Sequence, residues 1–213
     1  MSKQLTPNVK GTRDFYPEDF AIRQWLYKNI QKVSHRFGYQ EFDGPMIEYL
    51  DLYTDKTSEE ILKDQTFSLK DRDDRDLVLR PEITPTFARM VAQRAHQLPR
   101  IVRWFSFARA WRYEQPQKGR GREFFQWEIN LLGPESPAAD AEILAIAVEF
   151  FKQLGLSADQ VVIRVSDRSY FDQIIKQAGI DGSKYLPLLR AIDRKEKISQ
   201  DEFDQLLLDQ GLN

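Results

Sequence analysis

The apolar residues Ile22, Leu26, Ile30, Val33 and Phe37 recur at steps of three or four, which predicts an amphipathic helix from Pro17 to Phe37 with one buried face. Pro17 suits a first helical position, Glu18 and Asp19 suit the positive end of the helix dipole, and Gly38 suits the terminus. The next stretch, YQEFDGPMIEY, reads as extended, because Gly44 and Pro45 break a helix while the aromatics and Ile47 favour a strand. TFSLKDRDDRDLVLR places a polar turn between two strand-like runs and predicts a hairpin. A helix is expected from about Thr84 to Gln97, with Pro99 just past its end. From Arg103, WFSFARAWRYE alternates with period two and REFFQWEINLLG returns, so the pair predicts a long antiparallel hairpin with QPQKGRG at its tip. AEILAIAVEFFKQLG is helical, VVIRVSD reads as a strand, and the chain from Ser169 onward is helical with a shift toward acidic charge. There is no internal repeat and no low-complexity segment.

Composition narrows the classes open to such a chain. Its 213 residues, 41% hydrophobic and 30% charged, can bury one sizeable core, or a large domain with a small appendage. With 31 basic and 33 acidic side chains the net charge is −2, so any attraction for nucleic acid must be local. The absence of cysteine removes disulfides, iron–sulfur clusters, thiolate zinc sites and a thiol nucleophile together. His35 and His96 fall in separate predicted helices without ligand spacing and read as structural or surface residues. No apolar run approaches the ~18 residues of a membrane span, and the start MSKQLTPNVK has no apolar signal core. A cytoplasmic protein is expected.

The charge is concentrated in one place. Between Arg100 and Arg122 stand seven basic residues and a single acid, Glu114, a local excess of six positive charges in an otherwise balanced chain. Arginine suits phosphate because its planar fork gives paired, charge-assisted hydrogen bonds, and Gly119 and Gly121 beside Arg120 and Arg122 let the backbone bend close to a ligand. A solvated hairpin tip is the bland alternative. The phosphate loop GxxxxGK[ST] is absent, and GRGREF fails the dinucleotide pattern at its last glycine. A nucleotide would therefore lie on an antiparallel sheet, held by arginines. LRPEIT adds Glu82 and Thr84 at a strand-to-helix junction, where a carboxylate and a hydroxyl could hold an amino group; on spacing alone the commoner reading is an ordinary helix start. Gln126 and Asn130 lie two strand periods apart, share one face, and need polar partners there.

Four separated blocks, KGTRDFYPED, GYQEFDGPMIE, LRPEITPTFARM and WRYEQPQKGRGREFFQ, resemble in order the class II histidyl-tRNA synthetases from about Lys10 to Glu142. SDRSYFDQIIKQAGI and AIDRKEKIS are similar to the region that follows in the eukaryotic-type branch of that family. The resemblance implies an α+β fold, an antiparallel sheet flanked by helices with a small helical C-terminal segment. Residues 1–157 would be the N-terminal part of the catalytic domain and 158–213 a mixed, then helical, segment.

The resemblance also implies roles for particular residues. GYQEFDGPMIE looks like motif 1, with Pro45 at a homodimer interface, and the Arg103 to Gly133 hairpin looks like motif 2. Arg112 would bridge the amino-acid carboxylate and the α-phosphate of ATP, Glu114 would accept from the adenine amino group, and Arg120 and Arg122 would meet phosphates. Glu82, Thr84, Gln126 and Asn130 match histidine-binding positions, and Gln115, Gln117 and Lys118 at the tip match contacts with the acceptor end of tRNA(His). ATP with Mg2+ would be used, and no protein metal ligand is identified. Two departures stand out: Asn130 replaces an acid usual in the family, and nothing matches motif 3, the tyrosine-rich histidine loop or the anticodon-binding domain. An N-terminal fragment, inactive alone, is expected. The competing reading is a histidine-binding regulatory paralog of ATP phosphoribosyltransferase, although retention of Arg112, Glu114, Arg120 and Arg122 favours a protein that uses ATP.

Overall fold

The computed structural model describes residues 5–54, 65–195 and 197–209. The chain divides into two compact units, residues 1–162 and 163–213. In the first, helix α1 (Pro17–Arg36) begins on Pro17 with Glu18 and Asp19 in its first turn, and Gly38 follows it at φ 79°. Strand β1 (Gln40–Glu41) pairs parallel with β5 (Val102–Trp111), which pairs antiparallel along its whole length with β6 (Glu123–Leu132). A second sheet is antiparallel, in the order β2 (Ile47–Tyr49), β4 (Asp76–Leu79), β3 (Phe67–Lys70). Short helix α2 (Asp51–Thr54), helix α3 (Thr84–Gln93) and helix α4 (Pro137–Gln153) complete the unit.

The alternation of β5 and β6 sorts their side chains between two cores. One face carries Phe105, Phe107, Trp127, Ile129 and Leu131 against Ile30 and Val33 of α1 and Ile146 and Phe150 of α4. The other carries Val102, Trp104 and Ala108 against Phe42, Ile83 and Phe87. Tyr53 and Val78 centre a smaller cluster beside the second sheet. Arg103 of β5 is tied to Glu142 of α4 at 2.8 and 2.9 Å, and the same carboxylate accepts from the Tyr39 hydroxyl at 2.9 Å.

Three expectations need correction. The face of α1 is not buried throughout: Ile22 is 66% exposed, because that end of the helix borders an open hollow beyond the packed core. Helix α3 stops at Gln93 rather than Gln97, since the turns ahead of Pro99 tighten, with Arg94 N donating to Val91 O and Gln97 N to Arg94 O. VVIRVSD forms no strand among the described residues. Val162 and Val165 are 78% and 65% exposed, and β-branched composition alone does not supply the neighbouring ladder a strand requires.

The second unit holds helices α5 (Arg168–Gln177), α6 (Tyr185–Arg194) and α7 (Gln200–Asp209), with a 3-10 turn at Gly182–Lys184. Asp167 caps α5 by accepting from Tyr170 N at 2.9 Å. The expected helical tail runs past the described residues at 196 and beyond 209.

Candidate active site

Strand β6 builds the floor of the site. Its period-two alternation puts Gln126, Glu128 and Asn130 on one face, opposite Ala108, Ser106 and Trp104 of β5. Over this face lies the junction of β4 and α3, LRPEIT. Arg80, 2% exposed, fixes that junction: its guanidinium donates to Arg109 O (2.9 Å), Asp43 Oδ1 (2.8 Å) and Gly44 O (2.7 Å). Tyr53 donates its hydroxyl to Glu82 O at 3.2 Å, and burial pushes that hydroxyl up to about 12, so it remains a donor at neutral pH.

These anchors bring Glu82 and Thr84 to the β6 face. The Thr84 hydroxyl donates to Glu128 Oε2 at 3.0 Å and lies 3.5 Å from Glu82 Oε2; Asn130 Nδ2 donates to Glu128 Oε1 at 3.0 Å. Gln126 Oε1 is buried without a hydrogen-bond partner among the described residues. The four expected amino-acid residues are thus gathered around one that the spacing did not single out. Glu128 was legible in principle, because any reading that puts Gln126 and Asn130 on one face puts the residue between those two positions, 128, on it too.

Arg112 continues from β5 beside this group. Its Nε donates to Pro81 O at 3.2 Å, and its guanidinium lies over the Phe124 ring, 5.1 Å from the centroid. Further along the hairpin, Arg120 forms a two-pronged pair with Glu114, one bond of which is 2.8 Å. Arg122 donates to Glu114 O at 2.9 Å and stacks on Tyr113 at 4.1 Å. The tip is closed by mutual backbone bonds between Gln117 and Arg120, and Gln115, Gln117 and Lys118 are exposed on it. Gly11 straps the hairpin base, its carbonyl accepting from Arg122 N at 2.8 Å; at φ 85°, a side chain at this position would meet Arg122 Cγ at 2.7 Å.

Two features lie away from this face. A cavity of about 700 Å³ opens on the α1 side of the hairpin, lined among others by Phe15, Ile22, Arg23 and Phe125. Burial, with Arg109 nearby, lowers Arg23 from its ordinary value. Glu82, Thr84, Gln126, Glu128 and Asn130 do not line this cavity, whereas Gln117 and Arg120 of the hairpin tip do; the amino-acid site is assigned to the β6 face on chemistry rather than on cavity size. Pro45 is exposed in a different place again, beside exposed Met46 and Ile47 at the start of edge strand β2.

The β5–β6 hairpin sheet, the second antiparallel sheet and the flanking helices define the α+β fold of the class II aminoacyl-tRNA synthetases. Within that class the chain belongs to the histidyl-tRNA synthetase family, whose model matches residues 11–210. The chain is 43% identical over 210 residues to a histidine–tRNA ligase of Leptospira biflexa, covering 96% of this chain and 47% of that protein. It is 38% identical over 208 residues to a histidine–tRNA ligase of Haloarcula marismortui, covering 97% and 47%. It therefore spans about half the length of the curated relatives it matches. Among solved structures, a histidyl-tRNA synthetase from Nostoc sp. PCC 7120 shares the fold over 100% of this chain and 46% of its own, with a TM-score of 0.82 at 22% identity. An ATP phosphoribosyltransferase regulatory subunit/histidyl-tRNA synthetase from Bacillus halodurans covers 74% of this chain and 40% of its own, with a TM-score of 0.64 at 29% identity.

Proposed function

We propose that this chain supplies the first half of a histidine–tRNA ligase, binding histidine, ATP and the acceptor end of tRNA(His) on one face of the β5–β6 hairpin. The observation that carries the reading is the convergence of Glu82, Thr84, Gln126 and Glu128 beside Arg112, in a chain whose relatives at 38–43% identity are named histidine–tRNA ligases. Those names also favour the ligase over a regulatory paralog.

In the proposed reaction the histidine carboxylate attacks the α-phosphorus of ATP, pyrophosphate leaves, and a terminal ribose hydroxyl of tRNA then displaces AMP from histidyl-adenylate. Arg112 spans the carboxylate and the α-phosphate and stabilises the charge that develops there. Glu114 takes the adenine amino group, while Arg120 and Arg122 turn to phosphates. Arg120 must first leave Glu114; its side chain is 56% exposed and can swing outward, while the Glu114 side chain is 18% exposed. The tip residues Gln115, Gln117 and Lys118 meet the RNA end. Mg2+ would accompany the triphosphate of ATP, and no step is given to protein ligands. Pro45, Met46 and Ile47 supply part of a homodimer surface.

The test is pyrophosphate exchange into ATP by a complete polypeptide containing these residues. Arg112→Ala is expected to remove the histidine-dependent rate, a loss of about 3 kcal/mol or more by analogy with a missing oxyanion donor, while the circular dichroism spectrum is unchanged. An undiminished rate would show that Arg112 is misassigned.

A further inference from the structure

Arg122 owes its position to a segment outside the β5–β6 hairpin. Its backbone carbonyl accepts from Arg112 N at 2.9 Å, and its own N–H donates to Gly11 O at 2.8 Å. The same Gly11 carbonyl accepts from Glu123 N at 3.3 Å. With Nε donating to Glu114 O and the guanidinium over the Tyr113 ring, Arg122 keeps two terminal nitrogens that are unpaired among the described residues. A guanidinium fixed through its backbone, its Nε and its ring contact presents its remaining N–H donors in one direction.

The strap at residues 9–12 is itself anchored. Thr12 donates to Val9 O through both its N–H and its hydroxyl, at 2.9 and 2.8 Å, which closes the turn that presents Gly11. Three residues on, Phe15 meets Phe125 of β6 edge to face with centroids 5.9 Å apart, and the Arg23 guanidinium of α1 lies 4.5 and 4.8 Å from the two centroids. Strap and hairpin approach so closely that neither side has room for a side chain. A Cβ at Gly11 would meet Arg122 Cγ at 2.7 Å, and a Cβ at Gly121 would meet Gly11 O at 2.9 Å, both inside ordinary van der Waals contact.

Building on the reading above that gives Arg122 to a phosphate of ATP, we propose that Gly11 and Gly121 are positioning residues for ATP. Their contact seats the strap against the hairpin and so holds Arg122 with its terminal nitrogens toward the phosphate. Both glycines act through Arg122 rather than on the nucleotide.

The experiment measures ATP–pyrophosphate exchange by a complete polypeptide containing these residues, with ATP and histidine varied in turn. Gly11→Ala and Gly121→Ala crowd the contact from opposite sides and leave the arginine unchanged. Gly121 lies outside the left-handed region, so its variant adds crowding without backbone strain. Each is expected to raise KM for ATP by about tenfold, the scale of one charge-assisted contact, while KM for histidine stays within about twofold. A variant that merely folded less well would lose kcat and keep both KM values. Arg122→Ala should raise KM for ATP as well. Adding Gly11→Ala to it should change KM for ATP by less than about twofold, because the strap then has no guanidinium to orient. Unchanged KM for ATP in a folded glycine variant, or increases that multiply in the double variant, would overturn the positioning role and leave that of Arg122 standing. Unchanged KM for ATP in Arg122→Ala would remove the phosphate role of Arg122, and the positioning role with it.

Discussion

Arg80 shows how a single side chain can position a site without touching a ligand. Its guanidinium is buried and satisfied by three oxygens, from Asp43, Gly44 and Arg109, so it joins the motif-1 loop, β4 and β5 at one point directly before Glu82. Arg80→Ala leaves two backbone carbonyls without their donor and opens a cavity. It is expected to cost about 3 kcal/mol of stability, read as a lower urea midpoint; an unchanged midpoint would mean that water replaces the guanidinium fully. This role was not legible in LRPEIT, where an arginine before a proline carries no sign that it will be buried. Glu82, Thr84, Gln126 and Asn130 were legible through the resemblance and strand alternation, and the structure gathers the first two onto the face of the others. Glu128 went unremarked because a glutamate in a strand reads as solvated until its neighbours are seen.

At the scale of elements, the long hairpin and its helices follow from periodicity, since a continuous run of alternating or stepped apolar residues has one way to bury its face. Residues 161–167 did not obey their composition, because a strand depends on a partner that local sequence does not describe. The join between β5, α4 and the start of β1 was likewise invisible, because Arg103, Glu142 and Tyr39 are far apart in the chain. The Arg103 hydrogen bond, with that of Tyr39, holds the Glu142 carboxyl below its ordinary value of 4.5. A depressed folded value contributes stability that is complete above the unfolded value and disappears as pH falls through the folded one. Melting temperature should therefore drop on acidification below about pH 4.5, and Glu142→Gln should be less stable at neutral pH but flatter across that acid limb. Parallel acid limbs in the two proteins would show that the ionic bond does not link α4 to the sheet.

At the scale of the whole molecule, the chain carries two units and about half the length of its curated relatives. The second sheet ends in an edge strand, β2, with exposed Met46, Ile47 and Tyr49. An exposed apolar edge needs a cover, and the motif-1 reading makes that cover a second copy of the chain. Light scattering at micromolar concentration is expected to give twice the 25.1 kDa chain mass; a monomeric mass would remove the homodimer. Amino-acid activation is the central claim, and its most direct measurement is ATP–pyrophosphate exchange by a complete polypeptide containing these 213 residues, with each standard amino acid offered separately. Exchange with histidine alone is the predicted result; exchange with another amino acid, or histidine binding without any exchange, would contradict it.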